Sequence, residues 1–170
     1  MLTIAWDDRF LVGLPSIDNQ HKIFFQLINQ LSADFVSHEP REHLSILFDN
    51  LNDYADYHFS LEERWMVCQK FPLLKAHRFE HASFSERITE LRHHFRDLDR
   101  NVTLETMVFL YGWLVQHIQG SDFEFGQFIK RKKSRKTIGY SGCYTIIGHE
   151  QLSPQIELHS YSSDFQEKGC

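Results

Sequence analysis

Residues 51–65 read LNDYADYHFSLEERW, and this stretch decides the fold. Leu51, His58 and Trp65 recur every seven residues, with Leu44 one heptad earlier. Phe48, Ala55 and Glu62 form a second stripe beside the first. A period near 3.5 places both stripes on one face of a helix, whereas a strand alternates every second residue. The face is apolar except at His58 and Glu62, where a core position holds a group that water would otherwise solvate.

The same pattern recurs on both sides of this stretch. Upstream, Ile17, Phe24 and Leu31 share one heptad position, and His21, Ile28 and Phe35 share another. Downstream, Leu74, His81, Ile88 and Phe95 run beside His77, Phe84 and Leu91. A fourth segment carries Met107, Leu110, Leu114 and His117 and is expected to end near Gly120 to Asp122. Glu39-Pro40 and Phe71-Pro72 punctuate the chain as helix boundaries do, and Asn101 and Thr103 are candidate N-caps. Four helices joined by short loops predict an all-α fold, an antiparallel up-down four-helix bundle with an N-terminal arm and a C-terminal extension.

Composition agrees with this organisation. The chain has 170 residues, 42% of them hydrophobic, which suits one core with an extension. Residues 1–129 carry a net charge of −8 and fourteen of the fifteen Phe, while residues 130–170 carry +3. The expected division is therefore a bundle over residues 1–130 and a basic junction with a flexible tail over 131–170. Tyr140 to Ile147 has some strand propensity, but disorder is the expectation for the tail, and its protein partner is unknown. An acidic domain argues against nucleic acid as the main partner. No apolar run is long enough for a membrane span. Met1 to Gly13 lacks a secretory pattern, and Cys68, Cys143 and Cys170 form no disulfide framework, so the cytoplasm is the expected location.

The chemistry lies in the polar residues of the stripes. A lone buried histidine is usually a satisfied core residue. Here His21, His58, Glu62, His77, His81 and His117 interrupt the apolar faces, and Asp122 lies near the end of the fourth. Each buried polar group left without a partner costs about 1–3 kcal/mol. Together they would consume the roughly 5–15 kcal/mol stability of a small domain. A bound metal is the simplest remedy. His58 and Glu62 are four residues apart, as are His77 and His81, which puts each pair on one helix face. His117 and Asp122 are five apart, about 140° on a regular helix, so they should not grip one ion side by side. The histidine would then bind one metal and the carboxylate reach sideways to a second. Five imidazoles and two carboxylates are too many for one tetrahedral zinc and fit two bridged, six-coordinate metals. A mixed N/O set without thiolate suits iron among the available metals, although manganese, cobalt or zinc could occupy the site in vitro.

These residues resemble the signature of the hemerythrin family, and within it bacteriohemerythrin. The resemblance lies in Asp18-Asn19-Gln20-His21-Lys22, His58-Phe59-Ser60-Leu61-Glu62-Glu63, the His77/His81 pair, and Trp113 to Ile118 with Asp122. It runs from about Ile4 to Ile129. It implies two iron ions (Fe2+/Fe3+) joined by an oxo or hydroxo bridge. His77, His81 and His117 would hold one iron, His21 and His58 the other, and Glu62 and Asp122 would bridge them. It also implies reversible dioxygen binding at the open position of the two-histidine iron, for transport or storage rather than catalysis. Phe24, Trp113 and Ile118 match the family's apolar oxygen pocket. The alternatives are an oxygen or iron sensor, or a di-iron peroxidase or nitric-oxide-handling enzyme.

Two features depart from the family pattern. Gly120 is a poor helix residue between His117 and Asp122, and the chain after Lys136 has no counterpart in compact members. His38, His43, His93, His94, His149 and His159 lie off the stripes and read as solvated, Cys68 as a small packed residue, and Phe59 and Phe84 as plain core. Glu63 should point off the core, as a surface or supporting residue.

Overall fold

A computed structural model of the chain describes residues 3–37, 41–96 and 101–134. Helix α1 spans Pro15–Val36, α2 Arg41–Gln69, α3 Leu74–Arg96 and α4 Asn101–His117. A single π turn, Ile118–Asp122, links α4 directly to α5, Phe123–Ser134. Each of α1 to α4 packs against the next, and α1 closes the ring against α4. The result is the antiparallel four-helix bundle predicted. Among the described residues no helix is long and apolar enough to cross a membrane.

The heptad stripes line the interior. Ile17, Phe24, Ile28, Leu31, Phe48, Leu51, Phe84, Ile88, Leu110 and Leu114 are all buried. Asn101 is the first residue of α4, and Thr103 lies within the helix rather than at its cap. The fourth helical run does not end at Gly120 to Asp122. It passes through the π turn and continues for twelve residues of α5. Phe125 and Ile129, one turn apart, bury themselves against the end of the bundle, and that burial rewards the continuation. Phe125 meets Trp65 edge-on at 5.6 Å and Phe71 at 5.1 Å. Lys130 to Ser134 of the basic run are helical. The proposed tail, including Tyr140 to Ile147, lies outside the described residues.

The loop after α2 uses a Schellman turn. Phe71 N–H donates to the Met66 carbonyl at 2.9 Å and Lys70 N–H to that of Val67 at 3.0 Å. Lys70 occupies the left-handed position with φ 56°, where glycine is usual. Cys68, just before it, is exposed rather than packed, because it falls on the outer face of the last turn of α2.

The N-terminal arm is pinned along α1. The Asp18 carboxylate accepts the Val12 N–H at 2.8 Å, and Asn29 exchanges two hydrogen bonds with the backbone of Ile4. Trp6 packs edge-on against Phe25 at 5.5 Å. Val12 lies so close to α5 that a Cβ added at Gly126 would come within 2.1 Å of the Val12 carbonyl oxygen. Gly126 is therefore required by the arm. At Gly120 an added Cβ meets nothing within 4 Å. Gly126→Ala should destabilise the protein by about 1–3 kcal/mol, as overpacking does, while Gly120→Ala should be neutral or stabilising. Denaturant unfolding of both variants checks the contrast.

Candidate metal centre

Toward the end of the bundle where α1 begins and α2 passes to α3, the interrupted stripes of four helices meet. His21 comes from α1, His58 and Glu62 from α2, His77 and His81 from α3, His117 from the end of α4, and Asp122 from the π turn. None of the seven is more than 4% exposed. Glu62, His77, His81, His117 and Asp122 each bring one ligand atom into a group spanning no more than 4.8 Å. His21 and His58 stand on the other side, their ring centroids 5.0 Å apart.

Asp122 links the two sides. Its Oδ1 faces His117 Nε2 at 3.1 Å and His77 Nε2 at 3.4 Å, while its Oδ2 faces His21 Nε2 at 3.1 Å. Glu62 Oε2 lies 3.1 Å from His77 Nε2, 3.6 Å from His81 Nε2 and 3.9 Å from His58 Nε2. The carboxylates thus stand between three histidines and two. The π turn makes this possible. One extra residue in the turn reduces the offset of about 140° that a regular helix would impose on His117 and Asp122 to roughly the 40° of an i,i+4 pair. The pair faces one point side by side, contrary to the expectation from spacing.

An outer layer fixes the rings. His58 Nδ1 lies 2.7 Å from Gln20 Oε1, His81 Nδ1 2.9 Å from Glu63 Oε1, and His117 Nδ1 2.7 Å from Glu80 Oε2. These oxygens are acceptors, so each Nδ1–H donates outward. Arg78 holds Glu63 at 2.9 Å, and the Ser121 hydroxyl donates to Glu80 at 2.7 Å. The sequence reading missed Gln20, Glu80 and Ser121. A signal was available: Gln20, Glu63 and Glu80 each adjoin a candidate ligand in sequence, which turns them about 100° toward the next helix.

The electrostatics call for a cation. Burial, aided by neighbouring imidazoles, keeps His58 and His81 neutral, well below the usual histidine range. Their Nδ1–H groups point outward, so their Nε2 lone pairs point inward. Burial and the Asp122 charge raise Glu62. Burial opposes charge on His117 but is overcome by Asp122 and Glu80, which push it up to about 10. Asp122 is held well below the usual carboxylate range by His117 and His21, against its own burial. The proton drawn to His117 marks where positive charge is wanted, but it satisfies only part of the cluster. Both nitrogens of His21, Nδ1 of His77, Oε1 of Glu62 and both oxygens of Asp122 lack hydrogen-bond geometry with any partner. Of these, His21 Nε2, Glu62 Oε1 and the two Asp122 oxygens lie at the cluster and fit metal ions, and imidazole with carboxylate suits iron.

Aromatic rings cover the cluster. Phe59 stacks on His81 at 3.8 Å and Trp113 on His117 at 4.3 Å. Phe24 meets His58 edge-on at 5.3 Å, and Ile118 is buried next to His117. Phe84 backs Trp113 at 4.3 Å. Phe59, expected as plain core, therefore also walls the site. His93 is exposed, and the side chains of His38, His43, His94, His149 and His159 lie outside those described.

Fold and site together define a four-helix bundle with a buried histidine–carboxylate centre built for more than one metal ion. The hemerythrin HHE cation binding domain matches residues 12–129, and the chain belongs to the hemerythrin family. It is bacteriohemerythrin-like. It is 29% identical over 130 residues to a bacteriohemerythrin of Stenotrophomonas maltophilia, covering 76% of this chain and 84% of that one. It is 32% identical over 121 residues to a myohemerythrin of Riftia pachyptila, covering 71% and 89%. The crystal structure of a wild-type hemerythrin superposes with a TM-score of 0.64 at 26% identity, over 74% of this chain and 97% of that one. Family and cluster together support a di-iron site.

Removing one candidate ligand should cost far more in the iron-loaded state than in the metal-free one. His77→Leu should lower the stability of the iron-loaded chain, because metal binding is coupled to folding. In the metal-stripped chain the loss should be smaller, limited to the cost of leaving the buried Glu62 carboxylate without its His77 partner. Denaturant melts of both proteins in both states measure this, and an unchanged loaded chain would remove His77 from the ligand set.

Proposed function

We propose that this protein binds dioxygen reversibly at a di-iron centre, as a carrier or store. The observation that carries this reading is the division of five histidines into three and two about a shared carboxylate. Equal six-coordinate demand on both ions leaves the side with two histidines one ligand short. His77, His81 and His117 would hold the filled ion, His21 and His58 the open one, and Glu62 and Asp122 would span both. When bound, the ferrous pair supplies the two electrons that reversible dioxygen binding borrows and returns.

The side chains supply selectivity and protection. Phe24 lies against His58 on the two-histidine side, where a diatomic ligand would enter. Trp113 and Phe59 seal the three-histidine side by stacking on its rings. An apolar surround disfavours water and ions while admitting a small neutral gas. Such exclusion slows side reactions that water would promote. The five imidazoles are neutral donors and stabilise high oxidation states less than a carboxylate-rich site does. That favours binding over peroxidase or nitric-oxide turnover.

The test is an absorption spectrum of the iron-loaded, anaerobically reduced full chain, taken before air, after air and after degassing. A visible band that comes with air and goes on degassing is the expected result. Direct, irreversible passage to the oxidised di-iron spectrum, with turnover of peroxide or nitric oxide, would contradict a carrier. Trp113→Ala should keep its iron but autoxidise severalfold faster after air is admitted. An unchanged autoxidation rate would assign Trp113 to packing alone.

A further inference from the structure

The outer layer is not uniform in charge. Each acceptor sits beside a candidate ligand on one helix and supports a ligand on the next. Gln20, preceding His21 on α1, accepts from His58 on α2. Glu63, following Glu62 on α2, accepts from His81 on α3. Glu80, preceding His81 on α3, accepts from His117 at the end of α4. The two carboxylates both support the three-histidine side, and the neutral amide supports the two-histidine side. His77 and His21, one on each side, have an Nδ1 without a hydrogen-bond partner.

A carboxylate behind an imidazole pulls on its N–H and makes the opposite nitrogen a stronger donor. An amide oxygen orients the ring but adds no charge. We propose that Glu63 and Glu80 are positioning residues that make the three-histidine side the tighter iron site, and that neutral Gln20 leaves the two-histidine side the looser one. The pattern gives the two positions different jobs. A firmly held ion anchors the pair, while the weaker donor set keeps its ion accessible to an added ligand. Both carboxylates are themselves restrained, Glu63 by Arg78 and Glu80 by Ser121, so they act as fixed charges rather than mobile surface groups. This inference rests on the two-iron reading above.

The experiment is iron release from the loaded, reduced full chain under an anaerobic challenge with ferrozine, followed by colour. The wild-type chain should release two irons in two phases. Glu63→Gln and Glu80→Gln keep an oxygen acceptor of the same shape and remove only the charge. Each should speed the slow phase by about 10–100-fold and leave the fast phase unchanged. Glu80→Asp should restore much of the lost retention. Gln20→Glu should slow the fast phase, a gain that a merely structural role would not produce. Two irons whose release rates ignore all three charge changes would overturn this inference and leave the di-iron reading intact. Fewer than two irons in the loaded wild-type chain would overturn both.

Discussion

Seven polar side chains buried inside a small bundle form the constraint on which the rest of the structure depends. Five imidazoles and two carboxylates converge where four apolar faces would otherwise meet. The protein cannot solvate them and does not pair them all with one another. A cation compensates such a cluster well, and once it is bound the polar stripe becomes a tie between helices. Candidate ligands from α1, α2, α3 and the α4–π turn would then share the same ions, and the ring of four helices would close around the site. The aromatic rings stacked on the histidines add packing and exclude water, which strengthens every charge interaction inside.

The π turn is the local device that completes the cluster. The usual i,i+4 spacing delivers His58 with Glu62 and His77 with His81 without any distortion. The fourth helix instead spaces its ligands by five and inserts one residue into the turn, an irregularity that recurs at functional sites. The insertion also reorients the helix beyond it. Phe125 and Ile129 then reach the core, and Gly126 admits the N-terminal arm at close range. One extra residue thus both aims the Asp122 carboxylate and seats the end of the bundle.

Much of this was legible in the sequence. Heptad stripes give the four helices, and histidines where leucine belongs give the site, because burial of a polar group is costly enough to need a reason. The legible part stops where regular geometry stops. The offset computed for His117 and Asp122 assumed an α-helix throughout, and nothing in Gln119-Gly120-Ser121 announces a π turn. The extent of α5 was hidden by its lysines, although Phe125 and Ile129 at i,i+4 carried the signal. Cys68 could not be assigned a face because it falls in the last turn before the chain reverses. Gln20 and Glu80 look like ordinary surface residues, since their role depends on how the neighbouring helix is rotated. Only the packed bundle shows that each reaches across to a histidine.

A two-metal site at this cluster would hold the bundle together. The most direct measurement is the iron content per full chain, paired with the melting temperature before and after exhaustive chelation. Two irons per chain and a large, iron-reversible fall in melting temperature on their removal are expected. A single iron, or a melting temperature indifferent to its loss, would contradict such a site.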